Sequence, residues 1–154
     1  MNDLDLPATL ELIYDAAVSP GRWPDLLRHL APAFACHFAS VKFTSANRQE
    51  FRAIAHGMDP AVHHDFLRRY DRTDPIGLRL SPNESDDLQD SSILLTRREL
   101  EQSEMYQAVL RPHDVGRVRC LNIWHGRAGH ITLSLARSWR AGAFAEPLQP
   151  DRST

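Results

Sequence analysis

The sequence predicts an α+β domain in which a central antiparallel sheet is flanked by helices. Three observations carry that expectation. Alternation of apolar and polar residues, the period of a strand, occurs in two separate pairs of segments, each joined by a short polar or glycine-bearing turn. Helical periodicity opens the chain and fills the stretch between the two pairs. Strand and helix never alternate singly in the rhythm that builds a parallel sheet.

The first helix is predicted from Leu10, Ile13, Tyr14 and Ala17, whose i, i+3, i+4, i+7 spacing draws one buried face. Its cap is expected at Thr9 or a close neighbour, and Ser19-Pro20-Gly21 ends it. A second helix carries the stripe Trp23, Leu26, Leu27 and Leu30, with Pro24 in the first turn, where a missing N–H costs nothing. The pair forms a helical hairpin suited to covering a sheet.

Residues 38–44 alternate Ala39, Val41 and Phe43 against Ser40, Lys42 and Thr44, and a polar turn leads to a second strand at 51–56, closed by Gly57. Asp59-Pro60 then opens a helix as N-cap and first helical residue. Val62, Phe66 and Tyr70 are expected on its buried side, with Arg68, Arg69 and Asp71 in water. It must stop before Asp74-Pro75, because a residue preceding proline is pushed out of the helical region. Residues 81–90 are polar and acidic and read as an exposed loop without the ligand spacing or glycine of a calcium loop.

Thr96-Arg97-Arg98-Glu99 has the form of a capping box for a helix ending near Ser103. A further helix is expected over 104–110, with Met105, Tyr106, Val109 and Leu110 inward. Strands at 116–124 and 130–135 close the domain around a glycine-bearing hairpin turn, and in the last one Ile131, Leu133 and Leu135 alternate with Thr132 and Ser134. From Ser138 the chain reads as an irregular, frayed tail in which Phe144 allows a short helix before Pro147 and Pro150. The expected organisation is a single domain over 1–137 and a tail over 138–154.

Composition narrows the function. A chain of 154 residues suits one domain, and 42% apolar with 25% charged residues is ordinary for a globular protein. Lys+Arg number 18 against 20 Asp+Glu, without the basic excess that phosphate contacts demand, so direct nucleic-acid contact is not expected. Cys36 and Cys120 stand too far apart for a CxxC zinc site and read as two small buried residues in a reducing compartment. No run of 18 apolar residues offers a membrane span, and the acidic N-terminus lacks a signal-peptide layout, which places the expectation in the cytoplasm.

Catalytic signatures are missing from the sequence: it has no GxSxG elbow, no HExxH and no glycine-rich phosphate loop, so an enzyme is not expected. No motif requires a metal, haem or other cofactor. His63 and His64 are adjacent on a helix and point about 100° apart, and His125 and His130 bracket a hairpin without a third ligand. Glu99, Glu101 and Glu104 read as solvated or capping carboxylates.

Three phrases carry a family resemblance. LELIYDAAVSPGRWPDLLRHLA, FLRRYDRTDPIGLRL and LTRRELEQSEMYQAVLRPHDVGRVRCLNIW follow in an order and spacing that resemble the PAS-like sensory domains of LuxR-type helix-turn-helix transcription regulators. The element order is also that of PAS and GAF domains. The resemblance implies a ligand-sensing domain without the DNA-binding output that full-length relatives carry after the "F" matched near Phe144. It implies as partners a small molecule and either a second copy or a full-length regulator. The Tyr70-x-x-x-Asp74-Pro75 spacing is similar to that of quorum-sensing LuxR domains, in which the aspartate accepts a hydrogen bond from the signal's amide. Those domains carry further aromatics before the motif, whereas 57–69 here hold only Phe66, which leaves the pocket open to a different small molecule.

The candidate ligand-binding residues are Phe66, Tyr70, Asp74 and Trp124. Each has a structural alternative: Asp74 as a turn residue before Pro75, Tyr70 as a core-edge tyrosine, Trp124 as sheet-to-helix packing. A second function class also stays open, a protein-interaction module with a filled core. An empty cavity of a few hundred Å³ favours the sensor, and a solid core favours the interaction module.

Overall fold

The structure, a computed structural model, describes residues 4–80 and 88–146. Helix α1 (Leu6–Val18) begins a turn before its apolar periodicity, because Asp5 rather than Thr9 is the cap and accepts a 3.1 Å bond from the Ala8 N–H. Thr9 instead turns inward, where its hydroxyl donates to the Asp5 carbonyl and lies 2.8 Å from His29 Nε2 on α2 (Trp23–Ala33). A 3-10 turn at Pro20–Arg22 joins the two helices. The expected buried face of α1 is corrected. Thr9 and Ala16 are the buried positions, while Leu10, Ile13 and Tyr14 face outward together with Leu6 and Val18. The reason is packing: α1 rests on α2, and small residues at the contact let two helices approach closely.

The stripe of α2 is buried through Leu26, Leu27 and Ala31, with Trp23 and Leu30 half-buried. Leu27 and Ala31 pack with Cys36, Ala39 and Leu135, joining α2 to the sheet.

That sheet has five strands in the order β2-β1-β5-β4-β3, with every neighbouring pair antiparallel. β1 (Phe38–Ser45) and β2 (Phe51–His56) form one hairpin, β4 (Arg117–Gly126) and β5 (Gly129–Arg137) the other. Pairing of β1 with β5 merges them. The third strand, β3 (Leu88–Asp90), falls within the segment expected to be an exposed loop. Its three residues pair with the edge of β4, and Asp90 receives two bonds from the Arg119 guanidinium, at 2.6 and 2.9 Å. The rest of that loop expectation, 81–87, lies outside the described residues.

Between the hairpins, α3 (Pro60–Tyr70) is capped by Asp59, as the sequence indicated. Its buried stripe is His63, Leu67 and Tyr70 with Phe66 half-buried, so Val62 turns outward. Asp71 does not face water either; it pairs with Lys42 of β1. Asp74 caps a short helix that the periodicity did not reveal, α4 (Pro75–Arg79). Next come α5 (Ser91–Leu94) and α6 (Arg97–Gln102), the latter opened by the complete Thr96/Glu99 capping box and stopped at Ser103. The expected helix over 104–110 is present, α-helical at 104–105 and completed by a π-helical turn, Tyr106–Leu110, with Met105, Tyr106 and Leu110 buried.

Past β5, Trp139–Ala141 forms a 3-10 turn, and the Phe144 ring meets the guanidiniums of Arg119 and Arg137 at 4.7 and 4.0 Å, which ties the segment to the sheet as far as Phe144. Two apolar clusters result. One lies under α3, α4, α6 and the π turn, the other under α2, with the sheet between them.

Leu27→Ala is expected to lower the unfolding free energy by about 2–5 kcal/mol, because the site is enclosed on all sides and cannot collapse around the lost atoms. Urea denaturation of the two proteins side by side measures this, and a loss under about 1 kcal/mol would contradict the packing described.

Candidate functional site

Cross-strand partners in a sheet point to the same face, so the register sorts the strand residues into rungs. On the face beneath α3 and α4 the first rung is Phe38, Ala136 and Val118, and the second is Ser40, Ser134 and Cys120. The third is Lys42, Thr132 and Asn122, and the fourth holds Thr44 and His130. All of these residues line one cavity of about 120 Å³. Its roof comes from His63, Phe66, Leu67 and Asp71 on and just after α3, and from Asp74 and Ile76 at the start of α4. Met105, Leu110 and Val115 close the side next to the first rung's apolar residues. The floor is therefore graded. It is apolar at the Phe38 end and polar at the Thr44 end.

Burying polar side chains is unfavourable unless they find partners. Ser40, Thr44, Asn122 and Thr132 are all buried. Thr132 Oγ1 donates to Asn122 Oδ1 at 2.9 Å, and the Lys42 ammonium donates to Asp71 Oδ1 at 2.5 Å. The hydroxyl of Thr44, in a residue only 3% exposed, has no hydrogen-bond partner among the described residues. Thr44 borders the cavity, and its hydroxyl oxygen is itself closed off from solvent.

His63 sits with its ring 5.5 Å from that of Phe38 and 6.3 Å from that of Phe66. Burial, and then the nearby Lys42 charge, push its imidazole down to about 4, so it is neutral at pH 7. Burial lowers His130 in the same way, again with Lys42 contributing. Asp74 is raised from the ordinary carboxylate range by burial, against which the backbone bonds from Ile76 and Gly77 pull downward. Its Oδ1 accepts the Ile76 N–H at 2.8 Å, so one carboxylate both caps α4 and borders the cavity.

Of the four residues singled out from sequence, two, Phe66 and Asp74, line the cavity. Tyr70 stands behind it, its ring 6.0 Å from Phe66 and its hydroxyl 3.4 Å from Glu104 Oε1. Trp124 belongs elsewhere. An irregularity between Asn122 and Trp124 shifts the register by one, so Trp124 pairs with Ile131 on the opposite face and is 43% exposed. That shift removes it from any cavity-closing role.

Sequence reasoning missed Ser40, Lys42, Thr44, Asn122, Thr132, Ser134, His63 and Asp71. A signal was present in the strands. Their polar positions carry mostly small hydroxyl residues rather than the long charged chains that usually meet water, and Ser and Thr suit a buried floor that leaves room above it. His125 and His130 are register partners across the hairpin, yet no group of three or more His, Cys, Asp or Glu arranged for a metal occurs among the described residues. Cys36 and Cys120 are buried, with thiols pushed up to about 11 by desolvation, so neither is a thiolate at neutral pH.

No family model matches the sequence, and no curated protein matches it. A solved structure does share the fold. The N-acylhomoserine-lactone-dependent LuxR-family transcription factor CepR2 of Burkholderia cenocepacia aligns over 94% of this chain and 84% of its own, with a TM-score of 0.55 and 13% identity. The NreA protein of Staphylococcus aureus, mutated in its nitrate binding site, aligns over 88% of this chain and 96% of its own, with a TM-score of 0.44 and 12% identity.

His63 gives the domain a defined response to acid. The folded state keeps this imidazole neutral down to about 4, while the unfolded chain takes up the proton near 6.5. The unfolded state therefore binds more protons in that window, and stability falls as pH drops through it. His63→Gln should remove about 1–3 kcal/mol of the loss between pH 7 and pH 4.5, read as the difference between the two proteins' urea midpoints. Parallel decline of both proteins would show that His63 is not held neutral.

Proposed function

We propose that this chain is a small-molecule-sensing domain of the LuxR regulator type, cytoplasmic and non-enzymatic, whose ligand enters between the polar face of the sheet and α3–α4. One observation carries the reading: a cavity with a polar floor, bordered by Thr44, whose buried hydroxyl finds no partner among the described residues. At about 120 Å³ the cavity is smaller than the few hundred Å³ of an ordinary ligand pocket, and its polar lining, not its size, favours sensing over a protein-interaction module with a filled interior. The fold shared with CepR2, an N-acylhomoserine-lactone-dependent regulator, agrees with it.

The gradient along the floor specifies an amphipathic ligand. Its polar group meets Lys42, Thr44, Asn122 and Thr132, and its apolar part lies toward Phe38, Val118, Leu110 and Val115. The cavity measures about 120 Å³ and is partly open, so a ligand's polar end can seat in it while the rest extends beyond. The two carboxylates on the roof are already engaged, Asp71 with Lys42 and Asp74 with the end of α4, an arrangement suited to binding and not to proton transfer. A ligand that prefers one packing of α3–α4 over the floor shifts the population toward it. A second copy, or a full-length regulator carrying a DNA-binding domain, then reads that shift.

A thermal-shift screen of small metabolites bearing one polar group on a short apolar body tests the proposal. A ligand at 100 times its dissociation constant adds about 2.7 kcal/mol, a rise of several degrees in midpoint. Ser134→Phe, which fills the second rung, should abolish the rise. A library in which no compound stabilises the wild type more than Ser134→Phe argues against a ligand cavity. Thr44→Val separates binding from stability: removing the unpaired hydroxyl should leave the free domain as stable as before or up to about 1 kcal/mol more so, while weakening a found ligand roughly tenfold.

A further inference from the structure

A second pocket, of about 140 Å³, adjoins the polar end of the cavity between the tips of the two hairpins. The β1–β2 turn supplies Ser45, Ala46 and Arg48 to its wall, and the β4–β5 hairpin supplies His125, His130 and two glycines. Arg48 and His130 line both spaces, so the two are continuous. The Ala46 N–H donates to the Ala128 carbonyl at 2.9 Å and ties one turn to the other.

The chemistry of this wall is one-sided. It holds a guanidinium, two imidazoles and a hydroxyl, and no carboxylate. The Ser45 hydroxyl is already engaged, donating to Asn47 Oδ1 at 2.8 Å and accepting the Glu50 N–H at 3.0 Å. The side chains of Arg48, His125 and His130 make no hydrogen bond or ion pair among the described residues. Inside the cavity, by contrast, Lys42 is answered by Asp71 and Asp74 by the start of α4. We infer that this pocket seats an oxyanion, and that the ligand of the adjoining cavity is an amphipathic acid, a carboxylate or phosphate monoester whose charged group lies against Arg48, His125 and His130. The second half of the inference rests on the sensing reading above; the first half does not.

Geometry and charge agree. His125 and His130 are register partners, which sets their side chains on one face with about 5 Å between β-carbons, and an imidazole N–H donates to an anion. A guanidinium matches carboxylate and phosphate alike, with two parallel bonds. Burial and then the Lys42, Arg48 and His125 charges hold the His130 imidazole below its ordinary value, against the opposing pull of Asp71. Positive potential at that ring is the environment that an anion neutralises. An acid so placed keeps its charge at the hairpin tips, while its apolar part runs along the graded floor toward Phe38.

Inorganic phosphate tests the pocket by itself. Titrated at constant pH and ionic strength, it should shift the imidazole NMR signals of His125 and His130 saturably in the wild type. Arg48→Asn should lose that response and Arg48→Lys keep most of it. Arg48 is exposed and has a φ of +57°, a conformation that asparagine adopts readily, so the variant folds. Signals that do not saturate up to tens of millimolar phosphate, or that respond equally in Arg48→Asn, would overturn the inference. Hexanoate and hexanamide, alike in length and different in charge, test the ligand class by thermal shift. Hexanoate should bind about tenfold more tightly, and Arg48→Asn should remove that margin without changing hexanamide binding. Hexyl phosphate beside hexanoate shows which acid the pocket prefers. Hexanamide binding as tightly as hexanoate would overturn the acid class and leave the sensing reading in place. A phosphate response without stabilisation by any of the three hexyl compounds would overturn the link between pocket and cavity, and would count against the sensing reading instead.

Discussion

β1 lies beside β5, Phe38 opposite Ala136 and Ser45 opposite Gly129, although some ninety residues separate the two strands in the chain. This is the contact between the hairpins, and the rest of the structure depends on its register. Each hairpin alone is marginal, because two strands cannot bury a face. Joined, they give a sheet wide enough to carry α2 on one side and the α3–α4 roof on the other. Side chains alternate with a period of two, so a slip of one residue would send Ser40, Lys42 and Thr44 to the α2 side and bring Ala39, Val41 and Phe43 under the roof. Gly129 enforces the register at its far end. It has a φ of +148°, and a Cβ there would stand 2.0 Å from the Thr44 carbonyl oxygen.

The usual half-covered antiparallel sheet turns its apolar face to the core and its polar face to water. Here the polar face is covered as well as the apolar one. Such an arrangement is costly unless the polar groups pair, and most of them do: Lys42 with Asp71, Thr132 with Asn122, Asp74 with the start of α4. A largely buried ion pair seldom adds much stability over a well-packed apolar pair, so Lys42 and Asp71 fix a charged pair at the edge of the cavity more than they brace the fold. The same argument covers His63, kept neutral between two aromatic rings where an aliphatic residue would pack at no electrostatic cost.

Much of this was legible in the sequence. Caps at Asp59 and Thr96, the two hairpins and the antiparallel α+β class all follow from local chemistry, and they stand in the structure. What local reasoning lacked was knowledge of the partner. The stripe on α1 has helical spacing whether it meets its own domain or another chain, and only tertiary packing decides. The alternation in β1 and β5 gives the two faces without saying which one is roofed. Trp124 was misplaced by a single-residue register shift, which leaves no clear mark in a run such as Leu121-Asn122-Ile123-Trp124. Asp74 carried both readings, pocket and turn, and the geometry assigns it to both places.

The claim beneath all of this is that the polar half of the sheet faces inward under α3 and α4. Methyl NOE measurements test it most directly, through two neighbours on β5. The account places the Ala136 methyl against the cluster of Leu110, Val115 and Tyr106, and the Leu135 methyls against Leu27 and Ala31 of α2. Cross-peaks in that pattern are the expected result. The exchanged pattern, with Ala136 near α2 and Leu135 near Leu110, would mean that the strands pair in the other register and that the cavity floor is apolar.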